Sequence, residues 1–358
     1  MKSLSLCMIV KNEEKTLDRV LQNASIYADE IIIVDTGSTD KTKEIALNWT
    51  EKVYDFVWED DFAKARNYSF DKAKSDYIIW LDGDDFLPDD IACKIKQWKE
   101  GASDEDVLMC SYALTYDKNF LPSFLFLRER IVKNLPCFRW HDRVHEVIIP
   151  SGVVVCRKDI IIYHGKQKPY TNRNLKIYQK MIREGQSLSP RGKFYYAREL
   201  FYNGFYKKSI KMMDEFLGEK DGFIENKIDA CLIKSYCYEC LGSNEKALES
   251  LLFSFKLSPP KGEIAYNIGR LLTNQKEFHS AIFWLEMALK SGDDLESGAF
   301  VDKTKISLSP ALELVVCYYN LGNFEKAQYY HQLARSIAPN DSSVLFNEKF
   351  FHKTDKKG

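Results

Sequence analysis

Short apolar runs alternate with stretches of helical pattern through the first part of the chain. The apolar runs lie at residues 4–10, 30–34, 52–56 and 77–81, and the third is the weakest. Helices are predicted over residues 14–23, 41–49 and 61–73. Strands that are apolar on both faces and separated by helices predict a parallel sheet with right-handed crossovers. Ligands of such a sheet bind at the carboxyl ends of its strands.

From about residue 190 the pattern changes to pairs of helices. Ala247 and Ala281 occupy matching positions, and their separation equals the period of a tetratricopeptide repeat. Ala327 repeats the pattern at a longer separation, which predicts an insertion near 291–304, and Ser209 stands in a looser copy ahead of Ala247. A small residue at this position lets two helices pack closely. We therefore predict three or four stacked helical repeats.

The segment between these two regions is less regular. It contains apolar runs at residues 120–127 and 153–163, whereas the final residues, 347–358, are rich in lysine. We expect this end of the chain to be frayed.

Composition narrows the class of protein. The 358 residues include 51 Lys and Arg against 52 Asp and Glu, so no basic excess indicates nucleic-acid binding. No apolar run reaches the ~20 residues that span a bilayer. The apolar start at residues 1–10 runs directly into polar residues, unlike a signal peptide. Nine scattered cysteines are typical of reduced thiols, so we expect a cytoplasmic protein of several domains without a transmembrane segment.

Three aspartates follow the apolar run that ends at residue 81. In the sequence DGDD, Asp82 and Asp84 are separated by one glycine. Carboxylates with this spacing at the end of a strand can share a hard divalent cation and the phosphates that it holds. An exposed turn is the ordinary alternative, but the position after the fourth predicted strand favours a metal site.

Polar residues also follow the first two predicted strands. Asp35 ends the second strand, where a carboxylate can accept a hydrogen bond from a base N–H such as that of uracil. Ser38 or Asp40, in the turn that follows, can cap the next helix. The first strand ends in Val10, and Asn12 and Glu13 come shortly after it.

A further polar group lies on the helix that precedes the fourth strand. Arg66 and Asn67 belong to the sequence DFAKARN, and a guanidinium group is a natural partner for a diphosphate. A solvated helix face is the alternative interpretation.

Taken together and in order, four blocks of this sequence resemble glycosyltransferase family 2. They are CMIVKNEE (7–14), VDTGSTD (34–40), DFAKARN (61–67) and WLDGDD (80–85). The resemblance covers residues 4–90 and implies a GT-A fold, a nucleotide-sugar donor, a divalent metal and inversion at the anomeric carbon. The residues of these blocks resemble those of the branch of the family that includes glycosyltransferases of glycopeptide bacteriocins and other protein-modifying enzymes.

The resemblance also implies roles for individual residues. By this analogy Asp35 binds the base, Asp82 contacts the ribose or the metal, and Asp84 ligates Mn²⁺ or Mg²⁺ on the diphosphate. Gly83 stands where the family more often has alanine. The predicted donor-binding residues are Val10, Asn12, Glu13, Asp35, Ser38, Arg66, Asn67 and Asp82.

The middle segment supplies the remaining candidates. An inverting transfer needs a general base near the acceptor, and Glu146, Asp142 and His145 each qualify by residue type. If residues 144–149 form a strand, His145 and Glu146 point to opposite faces and at most one faces the sugar. A structural salt-bridge cluster is the alternative. His164, at the end of a predicted strand, is a candidate third metal ligand, although a lone histidine there is more often a hydrogen-bonding residue.

These observations predict a metal-dependent, inverting glycosyltransferase that moves a sugar from a UDP-sugar to a peptide or protein. The expected fold class is α/β, a GT-A domain followed by an all-α tetratricopeptide-like domain. The predicted boundaries are 1–100 for the nucleotide-sugar-binding half, 101–188 for the acceptor-side half, 189–346 for the repeats and 347–358 for the tail. The repeats could hold an acceptor, act as a spacer or form a homodimer. The alternatives are a catalytically silent nucleotide-binding scaffold that recruits protein partners, and transfer to a glycan or cell-surface acceptor.

Overall fold

A computed structural model describes residues 2–165 and 171–354 of the chain. The chain divides into two compact units, Met1–Gly192 and Lys193–Gly358. Within the described residues, none of the helices combines the length and the apolar character needed to cross a membrane.

The first unit contains a mixed sheet flanked by helices. Its strands are β1 (Leu4–Val10), β2 (Glu30–Asp35), β3 (Val53–Asp55), β4 (Tyr77–Asp82), β5 (Asp85–Phe86), β6 (Val107–Tyr116), β7 (Pro122–Lys133), β8 (Trp140–His141), β9 (Val147–Ile148) and β10 (Val154–His164). Its helices are α1 (Leu17–Ala24), α2 (Thr42–Leu47), α3 (Phe62–Phe70), α4 (Asp89–Glu100) and α5 (Arg173–Arg183).

The predicted parallel sheet is confirmed. In the main sheet of this unit the strand order is β3-β2-β1-β4-β7-β6-β10-β5, and the first four strands are parallel neighbours. β7 pairs antiparallel with both β4 and β6, which makes the whole sheet mixed. The register pairs Val10 with Asp35 and Ile9 with Asp82, so the carboxyl ends of the three central strands meet at one edge.

The sheet has an apolar layer on each face because its strands alternate side chains. On β1, Leu6 and Met8 belong to the cluster that contains residues of α1 and α4. Cys7, between them, belongs to a second cluster with Phe70 of α3 and Trp140 of β8. Both faces of the central strands are therefore buried, as the unbroken apolar runs predict.

The middle segment differs from the prediction in one place. Residues 144–149 do not form a continuous strand, because β9 begins only at Val147. His145 has a left-handed backbone with φ of 54°, which breaks the strand alternation assumed for it and Glu146. The apolar runs at 120–127 and 153–163 correspond to β7 and β10.

The second unit is a series of helix pairs. The unit boundary falls inside α6 (Pro190–Tyr202). The helices that follow are α7 (Tyr206–Leu217), α8 (Ile224–Cys240), α9 (Asn244–Phe253), α10 (Gly262–Asn274), α11 (Phe278–Lys290), α12 (Leu308–Asn320), α13 (Phe324–Ile337) and α14 (Ser342–Thr354).

Small buried residues mark the repeats as predicted. The four that recur, each completely buried, are Ser209, Ala247, Ala281 and Ala327. Gly269 of α10 allows an equally close approach, because a Cβ there would lie 2.6 Å from Cγ of Leu285 in α11. The second unit is thus a tetratricopeptide-like helical array.

The turns inside the helix pairs share a left-handed residue five positions before the small one. The residues are Gly204, Gly242, Lys276 and Gly322, with φ of 78°, 74°, 64° and 74°. Glycine adopts this conformation without strain, so three copies carry the residue that the turn favours and the copy with Lys276 does not.

The predicted insertion lies between α11 and α12. It includes two 3₁₀ turns, Leu295–Ser297 and Lys303–Ile306, and a short strand, β11 (Val301–Asp302). α14 continues to Thr354, within the tail predicted from residue 347, and the fraying of that end stays a prediction. Val344 holds this helix by packing, completely buried, in a cluster with α12 and α13. Residues 355–358 lie outside the described part of the chain.

Candidate functional site

Hydrogen bonds join the loops that follow β1 and β2. The Asn12 amide donates to Ser38 Oγ at 3.0 Å, and the Asn12 side chain accepts from the Thr39 amide at 2.7 Å. The Glu13 amide donates to Thr42 Oγ1 at 2.7 Å. Asn12 has φ of 55°, a conformation that asparagine tolerates better than most residues. Two of the predicted donor-side segments therefore form one connected surface.

Asp35 has one oxygen in use and one without a partner. Its Oδ1 accepts from the backbone amides of Gly37 and Ser38, each at 2.7 Å. Its Oδ2 is buried and has no hydrogen-bond partner among the described residues. A buried acceptor without a partner is costly, so this oxygen is suited to a ligand donor such as a base N–H.

Arg66 joins two carboxylates from different parts of the chain. Its Nη2 donates to Asp82 Oδ1 at 2.6 Å, and its Nε donates to Glu146 Oε1 at 2.7 Å. The side chains of Arg66 and Glu146 are only 8% and 11% exposed. The guanidinium lies 4.8 Å from the Trp80 ring and 4.9 Å from the Trp140 ring, so two indoles flank it.

These contacts control the charge at the end of β4. Burial alone would raise the pKa of Asp82, but Arg66 and Arg130 outweigh it and lower that pKa to about 2. Asp82 is therefore a carboxylate at neutral pH. Burial alone would lower the pKa of Arg66, but its two carboxylate partners raise it, so Arg66 remains a cation.

This pairing bears on the predicted diphosphate-binding role of Arg66, which stays a prediction. A diphosphate partner should offer a free guanidinium, whereas the described contacts commit Arg66 to Asp82 and Glu146. Asn67, whose donor-binding role also stays a prediction, is hydrogen-bonded to the backbone of Trp140. Its amide oxygen accepts from the Trp140 amide at 2.9 Å and its amide nitrogen donates to the Trp140 carbonyl at 3.0 Å, so it fastens α3 to β8.

A second cluster forms where β4 and β10 end. Asp84, Asp85 and His164 each offer an atom to a site in which these atoms lie within 4.8 Å of one another. Burial raises the pKa of Asp84 to about 6, with His164 opposing the shift and neighbouring carboxylates adding to it. Burial alone would lower the pKa of His164, but the carboxylates of Asp85, Asp84 and Asp82 outweigh it and raise that pKa. A bound cation would relieve this crowding of negative charge.

Asp85 is the most heavily bonded member of the cluster. It is completely buried, and its Oδ2 accepts from Arg130 Nη1 at 2.9 Å and from the Asp82 amide at 3.0 Å. Its Oδ1 accepts from the Tyr112 hydroxyl at 2.7 Å, and that hydroxyl lies 3.0 Å from His164 Nδ1. If Nδ1–H donates to the Tyr112 oxygen, the Nε2 lone pair of His164 is left for a ligand.

The residues present fit a divalent cation. Asp84 and His164 would hold it, with the more heavily hydrogen-bonded Asp85 beside them. A mixed oxygen and nitrogen donor set suits Mn²⁺ and is compatible with Mg²⁺. Gly165 permits the close approach of these elements, because a Cβ there would lie 2.6 Å from the Asp84 carbonyl oxygen.

Steric crowding explains why a glycine occupies residue 83. A Cβ added at Gly83 would lie 2.5 Å from Cγ of Glu13, in the loop after β1. The glycine in the middle of the DGDD motif thus allows Glu13 to pack against it.

The three candidate bases are placed differently. Glu146 is joined to Asp82 through Arg66. Asp142 instead accepts from Ser189 Oγ at 3.4 Å, and the His145 ring stacks near Tyr178 with centroids 6.3 Å apart. The described contacts therefore bring Glu146 to the edge where the strands end.

The sequence pattern does not reveal the roles of Asp85, Arg130 and Tyr112. Asp85 belongs to the DGDD motif, but the motif alone assigns it no function. Arg130 follows two other charged residues, Arg128 and Glu129, in strand β7, and it is completely buried there. A charged residue in a buried strand is rare unless it is paired, and that signal could have identified it.

The domain that carries this site has a recognised family. Residues 5–161 match the family model described as glycosyl transferase family 2. Together with the four parallel strands and the polar residues at their carboxyl ends, the match shows that this part of the chain is a glycosyltransferase family 2 domain with a GT-A-like fold.

Two curated proteins illustrate the similarity. A TPR repeat-containing protein of Synechococcus elongatus is 32% identical over 153 residues, which are 42% of this chain and 36% of that protein. The SPbeta prophage-derived glycosyltransferase SunS of Bacillus subtilis is 25% identical over 251 residues, 63% of this chain and 57% of SunS. The chain thus spans less than two thirds of the length of either relative.

One solved structure resembles part of the chain. Glucosyl-3-phosphoglycerate synthase from Mycobacterium tuberculosis, in complex with Mg²⁺ and uridine-diphosphate, is 20% identical with a TM-score of 0.27. The match covers 31% of this chain and 44% of that structure.

Proposed function

We propose that this protein is a metal-dependent, inverting glycosyltransferase that transfers a sugar from a UDP-sugar to a polypeptide. The observation that carries the proposal is the row of ion pairs Asp82–Arg66–Glu146. It joins a carboxylate on the donor side to a carboxylate that can act as a base, and a family 2 domain provides the context.

The donor side binds the nucleotide. Asp35 Oδ2, buried and without a described partner, accepts the N3–H of uracil. The connected loops that contain Asn12 and Ser38 form the adjoining surface. A uridine nucleotide is favoured over a cytidine nucleotide, because the N3 of cytosine is an acceptor and would face another acceptor.

The metal side binds the diphosphate. Asp84 and His164 hold the cation, and Asp85 with Tyr112 orients the imidazole. When bound, the cation neutralises negative charge on the leaving diphosphate. Arg66 does not reach the diphosphate in this scheme and acts through the two carboxylates that it positions.

Glu146 provides the base for the transfer. Its carboxylate takes the proton from the acceptor O–H, S–H or N–H, and the acceptor lone pair forms a bond to the anomeric carbon. The bond from that carbon to the diphosphate oxygen breaks on the opposite face, and its electron pair leaves with UDP. Attack opposite the leaving group inverts the anomeric configuration.

The helical repeats are the basis for proposing a polypeptide acceptor. Stacked helix pairs provide extended surfaces, which commonly bind other chains. The transferase domain has its own donor-side residues, so the repeats are free to act in acceptor binding.

Glu146→Gln tests the base. Glutamine keeps an oxygen that can accept from Arg66 Nε, so the site should stay assembled while the base is lost. The nucleotide released from a panel of UDP-sugars with Mn²⁺ should fall by about a hundredfold or more, with donor binding unchanged. Asp142→Asn is the matched control and should retain its rate. A rate lost in Asp142→Asn and kept in Glu146→Gln would place the base at residue 142, and no nucleotide release by the parent would favour the silent scaffold.

Asp84→Asn tests the metal site. The amide is a poorer ligand for a hard cation, so turnover should collapse at Mn²⁺ concentrations that saturate the parent. The exposed Asp90→Asn, at the start of α4, is the control and should titrate with Mn²⁺ like the parent. Parent-like turnover of Asp84→Asn in the presence of a chelator would contradict the metal assignment.

A further inference from the structure

The helical unit contains an acidic pocket that the transfer reaction does not use. Its cavity has a volume of about 80 Å³, several times the room needed for one water. It is bounded by the first half of α8, the start of α10 and the insertion between α11 and α12. The insertion therefore builds a pocket that a repeat of ordinary length would lack.

The walls of the pocket are apolar. They include Ile228 and Leu232 from α8 and Phe300 and Ile306 from the insertion. Gly262, at the start of α10, lets the insertion come close, because a Cβ there would lie 2.6 Å from Cγ2 of Ile306. Such walls suit the methylene stem of a long side chain.

The polar lining has an excess of carboxylates. Lys261 is already committed, since it pairs with Glu225 at 3.2 Å and also with Asp294. By contrast, no hydrogen bond or ion pair of the Glu263 carboxylate is found among residues 193–354. Burial raises the pKa of Glu263 to about 8, with Asp229 and Asp302 adding to the shift and Lys305 opposing it. No cation among residues 193–354 therefore lies within ion-pair distance of the Glu263 carboxylate.

A second acid in the pocket is also incompletely satisfied. Oδ2 of Asp229 is buried and has no hydrogen-bond partner among the described residues. The nearest cation is Arg198 Nη1 at 3.6 Å, which is itself buried without a described hydrogen bond. Arg198 stacks over Phe300 at 4.5 Å, which keeps its guanidinium beside the pocket wall.

We propose that this pocket binds the lysine or arginine side chain of a polypeptide partner. The alkyl stem lies against the apolar walls, and the cationic end donates to Glu263 and Asp229. Charge-assisted hydrogen bonds to two carboxylates satisfy groups that the chain itself leaves without full partners. The site belongs to the helical unit alone, so this proposal can be tested independently of the proposed sugar transfer.

The test uses the full-length protein and the lysine analogue Nα-acetyl-lysine methylamide. Saturation-transfer NMR at millimolar concentration should show the strongest contact at the side-chain methylenes. The norleucine analogue, which lacks the ammonium group, should bind at least about tenfold more weakly. Glu263→Gln should weaken the lysine analogue by a similar factor, whereas the exposed Glu245→Gln should not change its affinity.

A folded variant is needed for a clear result. Circular dichroism would verify the fold of Glu263→Gln. Glu263→Asp, which shortens the side chain by one methylene, is a second variant, and we expect it to bind the lysine analogue with intermediate affinity. Equal binding of the norleucine analogue, or unchanged affinity in Glu263→Gln, would overturn the charge recognition. Tighter binding of putrescine than of the lysine analogue would overturn the polypeptide partner, and no binding of any analogue would overturn the site.

Discussion

The Nε atom of Arg66 donates a 2.7 Å hydrogen bond to Oε1 of Glu146, which lies far along the chain in the middle segment. The same guanidinium binds Asp82 through another nitrogen at 2.6 Å. A planar, rigid cation thus sets the separation of two carboxylates that local sequence places far apart. Because indole rings flank it, the cation has little freedom to shift the pair.

Arg66→Lys should therefore reduce kcat more than it raises the donor KM. A lysine ammonium is a single point of charge on a flexible stem and cannot reproduce the two directed contacts. We expect kcat to fall by roughly tenfold to a hundredfold, as misplaced catalytic groups do. Steady-state kinetics with the active UDP-sugar measures both constants. Lys64→Gln, on the same helix but exposed, is the control. A rise in donor KM alone would support the diphosphate-binding role predicted for Arg66 from the sequence.

Asp35→Asn should weaken the donor without disturbing the loop. The amide oxygen can still accept from the backbone of Gly37 and Ser38, whereas the amide nitrogen replaces the buried Oδ2 acceptor with a donor. We expect the donor KM to rise by about tenfold or more with kcat little changed, because the base contact is the same in ground and transition states. Asp35→Ala, which also removes the turn acceptor, should lower Tm further. A large fall in kcat at unchanged KM would place Asp35 at the reacting centre.

Lys276→Gly should stabilise the helical unit. Lys276 has φ of 64° at a turn where three other repeats have glycine, so the substitution removes strain of up to about 1 kcal/mol. Gly242→Ala should destabilise the helical unit by about the same amount. No neighbouring atom lies within 4 Å of an added Cβ, so the effect comes from the backbone conformation alone. Urea unfolding of the two variants measures both effects. If both substitutions changed the free energy of unfolding in the same direction, the turn conformation would not control stability.

Glu263 should make the stability of the protein depend on pH. Its pKa is about 8 in the folded chain and about 4.5 when unfolded, so the folded state holds the extra proton between these values. The contribution of Glu263 to stability is therefore fully present below its unfolded pKa and is lost as the pH rises through its folded pKa. We expect this loss to be about 2 kcal/mol once solvent screening is allowed for. Glu263→Gln should remove this slope and be more stable than the parent at alkaline pH. Parallel unfolding curves of parent and variant across this range would contradict the assignment.

Parts of the site that depend on local sequence are predictable. Unbroken apolar runs mark β1, β2 and β4, and parallel pairing then brings Val10, Asp35 and Asp82 to one edge whatever the rest of the chain does. The small residues of the helical repeats, such as Ala247 and Ala281, are recognisable for a similar reason, because their spacing repeats.

Contacts between distant segments are not predictable in this way. Arg66 can be recognised as a cation near the site, but its partner Glu146 comes from a bend before β9 that has no regular pattern. Asp85 finds Arg130 only because β7 inserts between β4 and β6 in antiparallel fashion. Nothing in the periodicity of the first four strands contains that pairing.

Gly83 has an evolutionary consequence. Its missing Cβ leaves room for Glu13, with only 2.5 Å between the position of that Cβ and Cγ of Glu13. An alanine at residue 83 would therefore require a smaller or repositioned side chain at residue 13, although the two positions belong to different loops. We therefore expect residues 13 and 83 to have been substituted together during the evolution of this chain, because a change at one position alone would be selected against.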